Sequence, residues 1–244
     1  MPPRNALKRQ VNRLPPERRI SDIMAAAKEV FVEKGYNDAL ITDIALRAGV
    51  VEGSIYRFFA NKRELLVKVV EHWFEEMLRD DAEQFAAVCG SWNQIRFIVY
   101  THLTSIHRDP ALSRLMFQEI RPAPDYRGSH LFELNRAYTN RLVDVVKVGI
   151  AAGDLRPETS PSLVRDLVFG CIEHRTWAFL RGEGDFDPAE LADAITNLVH
   201  HGLALDDEPA SPIESVVARL ETATARLEAA AGIAPTKPSS ALPR

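Results

Sequence analysis

A chain of 244 residues, 46% apolar and 26% charged, has the composition of an ordinary globular protein with enough material for one or two domains. No apolar run approaches the roughly 18 residues of a membrane span, and the basic N-terminus lacks the apolar stretch of a signal peptide. The expectation is a cytoplasmic protein with no membrane partner, and with Cys89 and Cys171 as free thiols, since their spacing fits neither a metal nor a redox site.

The net charge of −4 conceals an asymmetry. Residues 1–70 carry 13 Lys/Arg against 8 Asp/Glu, whereas the remainder carries 17 against 26. A basic first part joined to a long acidic part suggests a head that meets a polyanion and a body that stays away from it.

In chain order, residues 1–16 are basic and Pro-flanked. They read as a flexible arm, either reaching into a DNA groove or without a partner. A first helix starts near Glu17, with Ile20, Ile23, Met24, Ala27, Val30 and Phe31 on one stripe, and stops at Gly35. Thr42 is placed to cap a second helix, DIALRA, and Gly49 permits a sharp turn. A third short helix covers Glu52 to Phe58. Asn61, with Glu64 three residues on, caps a long fourth helix that runs to about Phe85.

The remainder reads as further helices: SWNQIRFIVYTHLTSIHRD, ALSRLMFQEI after Pro110, YRGSHLFELNRAYTNRLVDVVKVGIAAG, SLVRDLVFGCIEHRTWAFLRG, and DPAELADAITNLVHHGL capped by Asp187. No segment alternates as a strand would. The fold is expected to be all-α: an N-terminal three-helix helix-turn-helix unit (17–65), a helical body (66–206), an extra amphipathic C-terminal helix (209–232), and a disordered tail (233–244). In the extra helix Ile213, Leu220 and Leu227 recur every seven residues.

The second and third helices are too short to stand alone, so the first and fourth must hold them, with Val50 and Ile55 pinning the turn to the core. The third helix then offers its N-terminal face to a major groove, with Val51, Glu52, Ser54 and Arg57 near base edges or phosphates. Gly53 allows close backbone approach, and Tyr56 is suited to donate to a phosphate. Lys62, in the first turn of the fourth helix, combines its ammonium with free backbone N–H groups at another phosphate position. Thr42 and Arg47 flank this surface on the second helix. Arg47 fits either a backbone contact or a solvated face.

The run from Thr42 to Leu65, T-x-IA-xx-AGVxxGSIYxFFxNKxxL, resembles the signature of the tetracycline-repressor (TetR) family of bacterial transcriptional regulators. Val51 departs from it: the family often has Ser, Thr or Ala there, and valine cannot cap a helix through a hydrogen bond. The resemblance implies a homodimer that binds a double-stranded DNA operator, pairs its last two core helices with those of a partner, and holds a small-molecule effector inside the body. GCIEHRTWAFLRGEGDFDPAELADAI is similar to bodies of family members that sense fatty acyl-CoA or related hydrophobic acids. A multidrug or aromatic-effector sensor, or a ligand-binding scaffold with a non-reading head, are the alternatives.

Candidate ligand-binding residues are Phe97, Tyr100, Met116, Phe117, Arg121, Tyr138, Cys171, His174 and Trp177, a mixed aromatic wall suited to an apolar ligand with a few polar contacts. Core packing is the competing explanation for each. Arg96, Arg121, Arg127 and Arg136 are candidate cations for a thioester's phosphates. His102 and His107 are five apart and His200 and His201 adjacent, so neither pair has the spacing of helix-borne zinc ligands. No metal, cofactor or catalytic residue is expected, because no nucleophile motif or phosphate loop is present.

Overall fold

In a computed structural model of the chain, the described residues are 15–80, 82–204, 220 and 224. Most of the basic arm, nearly all of the 209–232 segment and the whole tail therefore lie outside them. Leu220 and Thr224 are helical and exposed, and the Thr224 hydroxyl donates to the Leu220 carbonyl (2.8 Å).

Ten α-helices are formed among the described residues: α1 (Pro16–Asp38), α2 (Ile41–Arg47), α3 (Glu52–Ile55), α4 (Lys62–Asp80), α5 (Ala82–Ala86), α6 (Ser91–Arg108), α7 (Pro110–Leu115), α8 (His130–Ala152), α9 (Pro161–Leu180) and α10 (Pro188–Leu203). A π-helical turn, Met116–Ile120, follows α7, and a 3₁₀ turn, Tyr126–Gly128, leads to α8. No described segment forms a strand, and no described helix is long and apolar enough to cross a membrane.

Local chemistry sets most of the boundaries. Gly35 takes φ 73°, ψ 177° and breaks the regular course of α1, while Gly49 at φ 65° turns the chain between α2 and α3. Asn61 Oδ1 accepts from Glu64 N (2.8 Å), and the Glu64 carboxylate reaches back to Ala60 N (2.6 Å). Ser129 caps α8 through Phe132 N, and Asp187 caps α10 through Ala189 N and Glu190 N. Thr42 is not a cap. Helix α2 begins at Ile41 with Leu40 at the cap position, and Asp43 Oδ2 accepts from Leu40 N (3.3 Å). An aspartate in the first turn satisfies that end, which leaves Thr42 as an exposed helical residue. Helix α4 is described to Asp80 and α5 from Ala82, with Asp81 outside the described residues.

Two apolar clusters build the core of residues 15–203. One joins Ile23, Val30, Phe31, Ile44, Ile55, Phe59 and the inner face of α4 to Leu112, Met116, Ile120 and Tyr138. The other joins α6, α8, α9 and α10 through Ile95, Val99, Leu103, Leu142, Val146, Val168 and Ile172. The head is thus no separate bead: its core continues into α7 and the π turn. Phe117 and Phe169 pack against both clusters and mark the seam between them.

Candidate functional site

The head presents a compact surface. Ile55, 1% exposed, anchors α3, while Val51 (74%), Glu52, Gly53, Tyr56 (52%) and Arg57 face solvent and Ser54 is half-buried. Val51 occupies the cap position of α3 without a side-chain hydrogen bond, as its chemistry requires. On α2, Thr42 and Leu46 share an exposed face. Leu46 went unassigned in the sequence, yet at 83% it is the most exposed large apolar side chain among the described residues. Arg57 lies over the Phe58 ring (5.9 Å) and has no ion pair among the described residues.

Two of the nominated cations are engaged inside the head. Arg47 makes a bidentate pair with Glu33 (2.7 and 2.8 Å), which tethers α2 to α1, and its hydrogen bond holds the Glu33 carboxyl below the usual range. Lys34 does the same to Asp43 (2.8 Å). Lys62 departs further from its expected role. Its ammonium donates to the carbonyls of Tyr36 (2.8 Å), Asn37 (3.3 Å) and Ala39 (2.9 Å) and lies 4.6 Å from the centre of the Tyr36 ring. An ammonium has three protons, and all three point at the corner between α1 and α2. Lys62 closes this corner from within, so it has no proton left for a phosphate.

The body holds a cavity of about 590 Å³ at the seam of the two clusters. Trp73, Phe74 and Met77 of α4 form one wall, and Met116 and Phe117 of the π turn form another. His102 and Ile106 of α6, Phe132 and Asn135 of α8, and Phe169 and Gly170 of α9 complete it. Polar groups also line it, largely in pairs: Arg121 with Glu173 (2.6 Å) and Arg165 with Asp166 (2.8 Å). A second hollow of about 350 Å³ shares Phe132 and Arg136 with the first and adds Arg127 and Asn140. Arg127 and Arg136 are exposed, and neither has an ion pair among the described residues.

Of the nine nominated ligand residues, Met116, Phe117 and Arg121 line the cavity. Tyr138 stands behind its wall, 2% exposed, with its ring against His102 and Phe169. The other five lie elsewhere. Cys171 and His174 are exposed on α9, turned away from the cavity by the helix phase. Phe97 packs on Phe85, Tyr100 is 38% exposed, and Trp177 packs on Phe117 without lining the cavity. Among the nominated phosphate cations, Arg96 is tied to Asp193 and Arg121 to Glu173, leaving Arg127 and Arg136.

The α4 wall was missed although Trp73, Phe74 and Met77 stand at positions i, i+1 and i+4 of one helix. Read alone, that stripe is ordinary core.

Arg63, beside Lys62, links head to body. It donates to the Glu119 carbonyl at the end of the π turn (3.2 Å) and to Asp125 (2.9 Å). The π turn is therefore touched by the cavity on one side and by the first turn of α4 on the other.

Residues 23–69 match the model described as bacterial regulatory proteins of the tetR family, and residues 90–203 match that of the tetracyclin repressor-like C-terminal domain. The chain belongs to the TetR family. It is a DNA-binding transcriptional regulator with the family's all-α fold, an N-terminal helix-turn-helix and a helical C-terminal domain. A further short match, to the CAP N-terminal conserved motif, spans residues 214–243, almost all outside the described residues.

Among its relatives is the fatty acid metabolism regulator protein of Bacillus subtilis, 23% identical over 74% of this chain and 93% of that protein. The transcriptional repressor KstR2 of Mycobacterium tuberculosis is 26% identical over 67% of this chain and 80% of its own length. The crystal structure of FadR from Bacillus subtilis in complex with stearoyl-CoA superposes with a TM-score of 0.67, at 23% identity, over 75% of this chain and 98% of that one.

Proposed function

We propose that this regulator is a homodimeric repressor of a palindromic operator, released by the CoA thioester of a hydrophobic acid. The observation that carries this reading is the position of the cavity. It is of a size that encloses a drug-sized or larger apolar ligand. It is walled by α4, the helix whose first turn belongs to the head, and its Arg136 is shared with the second hollow, which also holds Arg127 and Glu133; neither arginine has an ion pair among the described residues. An acyl group fits the aromatic interior, and the phosphates of CoA fit the arginines at the shared mouth. The names of the relatives, a fatty acid regulator and a structure with bound stearoyl-CoA, support the same ligand class. Operator titration with a graded series of acyl-CoAs, the free acids and a planar aromatic cation tests it. Release by the thioesters alone is expected, and release by the aromatic cation alone would overturn it.

On DNA, Val51, Glu52 and Ser54 are the proposed base-reading positions, and Tyr56, Arg57 and Thr42 contact the backbone, with Gly53 allowing close approach. Tyr56→Phe should weaken all operators about equally. Glu52→Gln should change the ranking among operator variants by about 1–3 kcal/mol at one position. Competition binding on a randomised half-site separates the two effects.

The partner surface is on α9 and α10. Leu163 (57% exposed), Leu167 (61%) and Leu198 (75%) are large apolar side chains uncovered in the monomer. A two-fold interface covers each of them twice, and burying a leucine is worth roughly 1.5–3 kcal/mol. Leu198→Asp should therefore raise the dimer dissociation constant by about 100-fold or more in sedimentation, and operator affinity should fall with it.

The signal from the cavity passes through the π turn to Arg63. A ligand against Met116 and Phe117 favours a setting of that turn in which the Arg63 contacts to Glu119 and Asp125 are altered, and α4 carries the change to the head. Arg63→Met should leave operator affinity within a few-fold but reduce the loss of affinity that the effector causes. Paired titrations with and without effector measure that coupling. An unchanged coupling would remove Arg63 from the route.

A further inference from the structure

The reading face of the head carries no net charge. Of Thr42, Val51, Glu52, Ser54, Tyr56 and Arg57, one is a cation and one a carboxylate. The rest of the head does little to correct this, because residues 15–70 hold nine Lys/Arg against eight Asp/Glu. Arg18, Lys28, Lys34, Arg47, Arg63 and Lys68 are in ion pairs, and Lys62 is spent on three carbonyls. Releasing a paired cation to a phosphate would strand its carboxylate beside a polyanion, so the exchange gains no net charge. Yet the hold of a protein on duplex DNA at physiological salt comes in large part from phosphates neutralised and counterions released. The missing charge is in residues 1–14. Arg4, Lys8, Arg9 and Arg13 lie there without a single Asp or Glu, so the basic excess of residues 1–70 belongs almost wholly to them.

We infer that residues 1–14 are a second DNA-contacting element, which neutralises backbone phosphates of the duplex flanking each half-site and supplies most of the salt-dependent affinity, while the helix-turn-helix supplies sequence choice. Two observations meet here. The folded head is close to neutral, and the acid-free basic stretch joins it directly at Pro15, the cap position of α1. Reach permits the contact: fourteen residues span at most about 46–50 Å, and one strand of the duplex offers a phosphate about every 3.4 Å. The competing polyanion is the protein's own body, in which residues 71–244 hold 17 Lys/Arg against 26 Asp/Glu. Its carboxylates are interspersed with cations, whereas the duplex carries one uninterrupted charge per roughly 1.7 Å of axis, so DNA offers the stronger field. The inference stands apart from the identity of the effector and from which bases the head prefers.

The test uses the full-length protein and two duplexes of about 40 base pairs, one selected by the parent protein from a random pool and one of scrambled sequence. Arg4→Gln, Lys8→Gln, Arg9→Gln and Arg13→Gln are made together. Affinity for both duplexes at 150 mM salt should fall by about 10- to 1,000-fold, and the plot of log affinity against log salt should flatten by about three to four per chain. Parent and variant should converge as salt rises, and the preference for the selected duplex should stay within a few-fold. Arg4→Gln with Lys8→Gln alone should flatten the plot by about half as much. A version with Arg4→Lys, Arg9→Lys and Arg13→Lys should bind like the parent, since a phosphate needs only the charge. An unchanged slope in the four-Gln protein would overturn the inference. So would tighter binding by that protein, which would mean that the stretch pairs with the acidic body. A lysine version that loses as much as the glutamine one would overturn the phosphate role. If the pool yields no selected sequence but the slope on scrambled duplex falls as stated, the base-reading assignment fails and this inference stands.

Discussion

Lys62→Met should destabilise the head by about 2–4 kcal/mol and lower the melting temperature by roughly 5–10 °C, without changing the salt dependence of whatever DNA binding survives. The ammonium donates to the carbonyls of Tyr36, Asn37 and Ala39, which lie just beyond the break at Gly35, at the C-terminal end of α1, where the last carbonyls of a helix have no partner within it. Each such bond to a charged donor contributes roughly 1.5–3 kcal/mol, and the three are not additive because they share one cation. Methionine keeps much of the apolar stem and the packing on Tyr36 but supplies no donor. Arg57→Met is the control. Its guanidinium has no ion pair among the described residues, so its loss should leave the melting temperature unchanged and lower the salt slope by about one. Thermal melts and operator titrations at several salt concentrations compare the two variants. A Lys62→Met protein that melts like the parent, with a slope lowered by one, would return Lys62 to the role of phosphate clamp.

That residue also shows where reading the chain reaches its limit. The helices, their caps at Asn61 and Asp187, and the turns at Gly35 and Gly49 follow from local chemistry, and local chemistry is visible in sequence. Lys62 occupies a family-matching position, but its partners lie 23 to 26 residues earlier, and spacing alone cannot tell a carbonyl acceptor from a phosphate. The cavity was obscured for a different reason. Helix α9 is apolar nearly all round: Val164, Val168 and Ile172 point into the core, while Leu163, Leu167 and Cys171 point outward. With no polar face to fix its phase, Cys171 and His174 were as plausible a lining as Phe169 and Gly170. The π turn at Met116–Ile120 adds to the difficulty, because a widened turn shifts the helical phase without any proline or glycine to announce it. Asp166 and Glu173, which the sequence did not single out, line the cavity paired with Arg165 and Arg121.

The second large effect concerns acid. His102 is held neutral by burial and secondarily by Arg121, its pKa lowered from 6.5 to about 4. Between these values the unfolded chain binds the proton and the folded chain does not, so stability is fully present above about pH 6.5 and is lost as pH falls toward 4. The full loss amounts to about 3 kcal/mol. Tyr138 and Phe169 face the ring, and the remaining titratable groups of the cavity, Arg121, Glu173, Arg165, Asp166 and Arg136, put no unpaired carboxylate beside it. His102→Gln cannot titrate there, so urea denaturation of the ligand-free proteins at pH 7, 6, 5 and 4.5 should show a gap between parent and variant that changes by most of that amount. A parallel pair of curves would mean that the ring protonates freely in the fold.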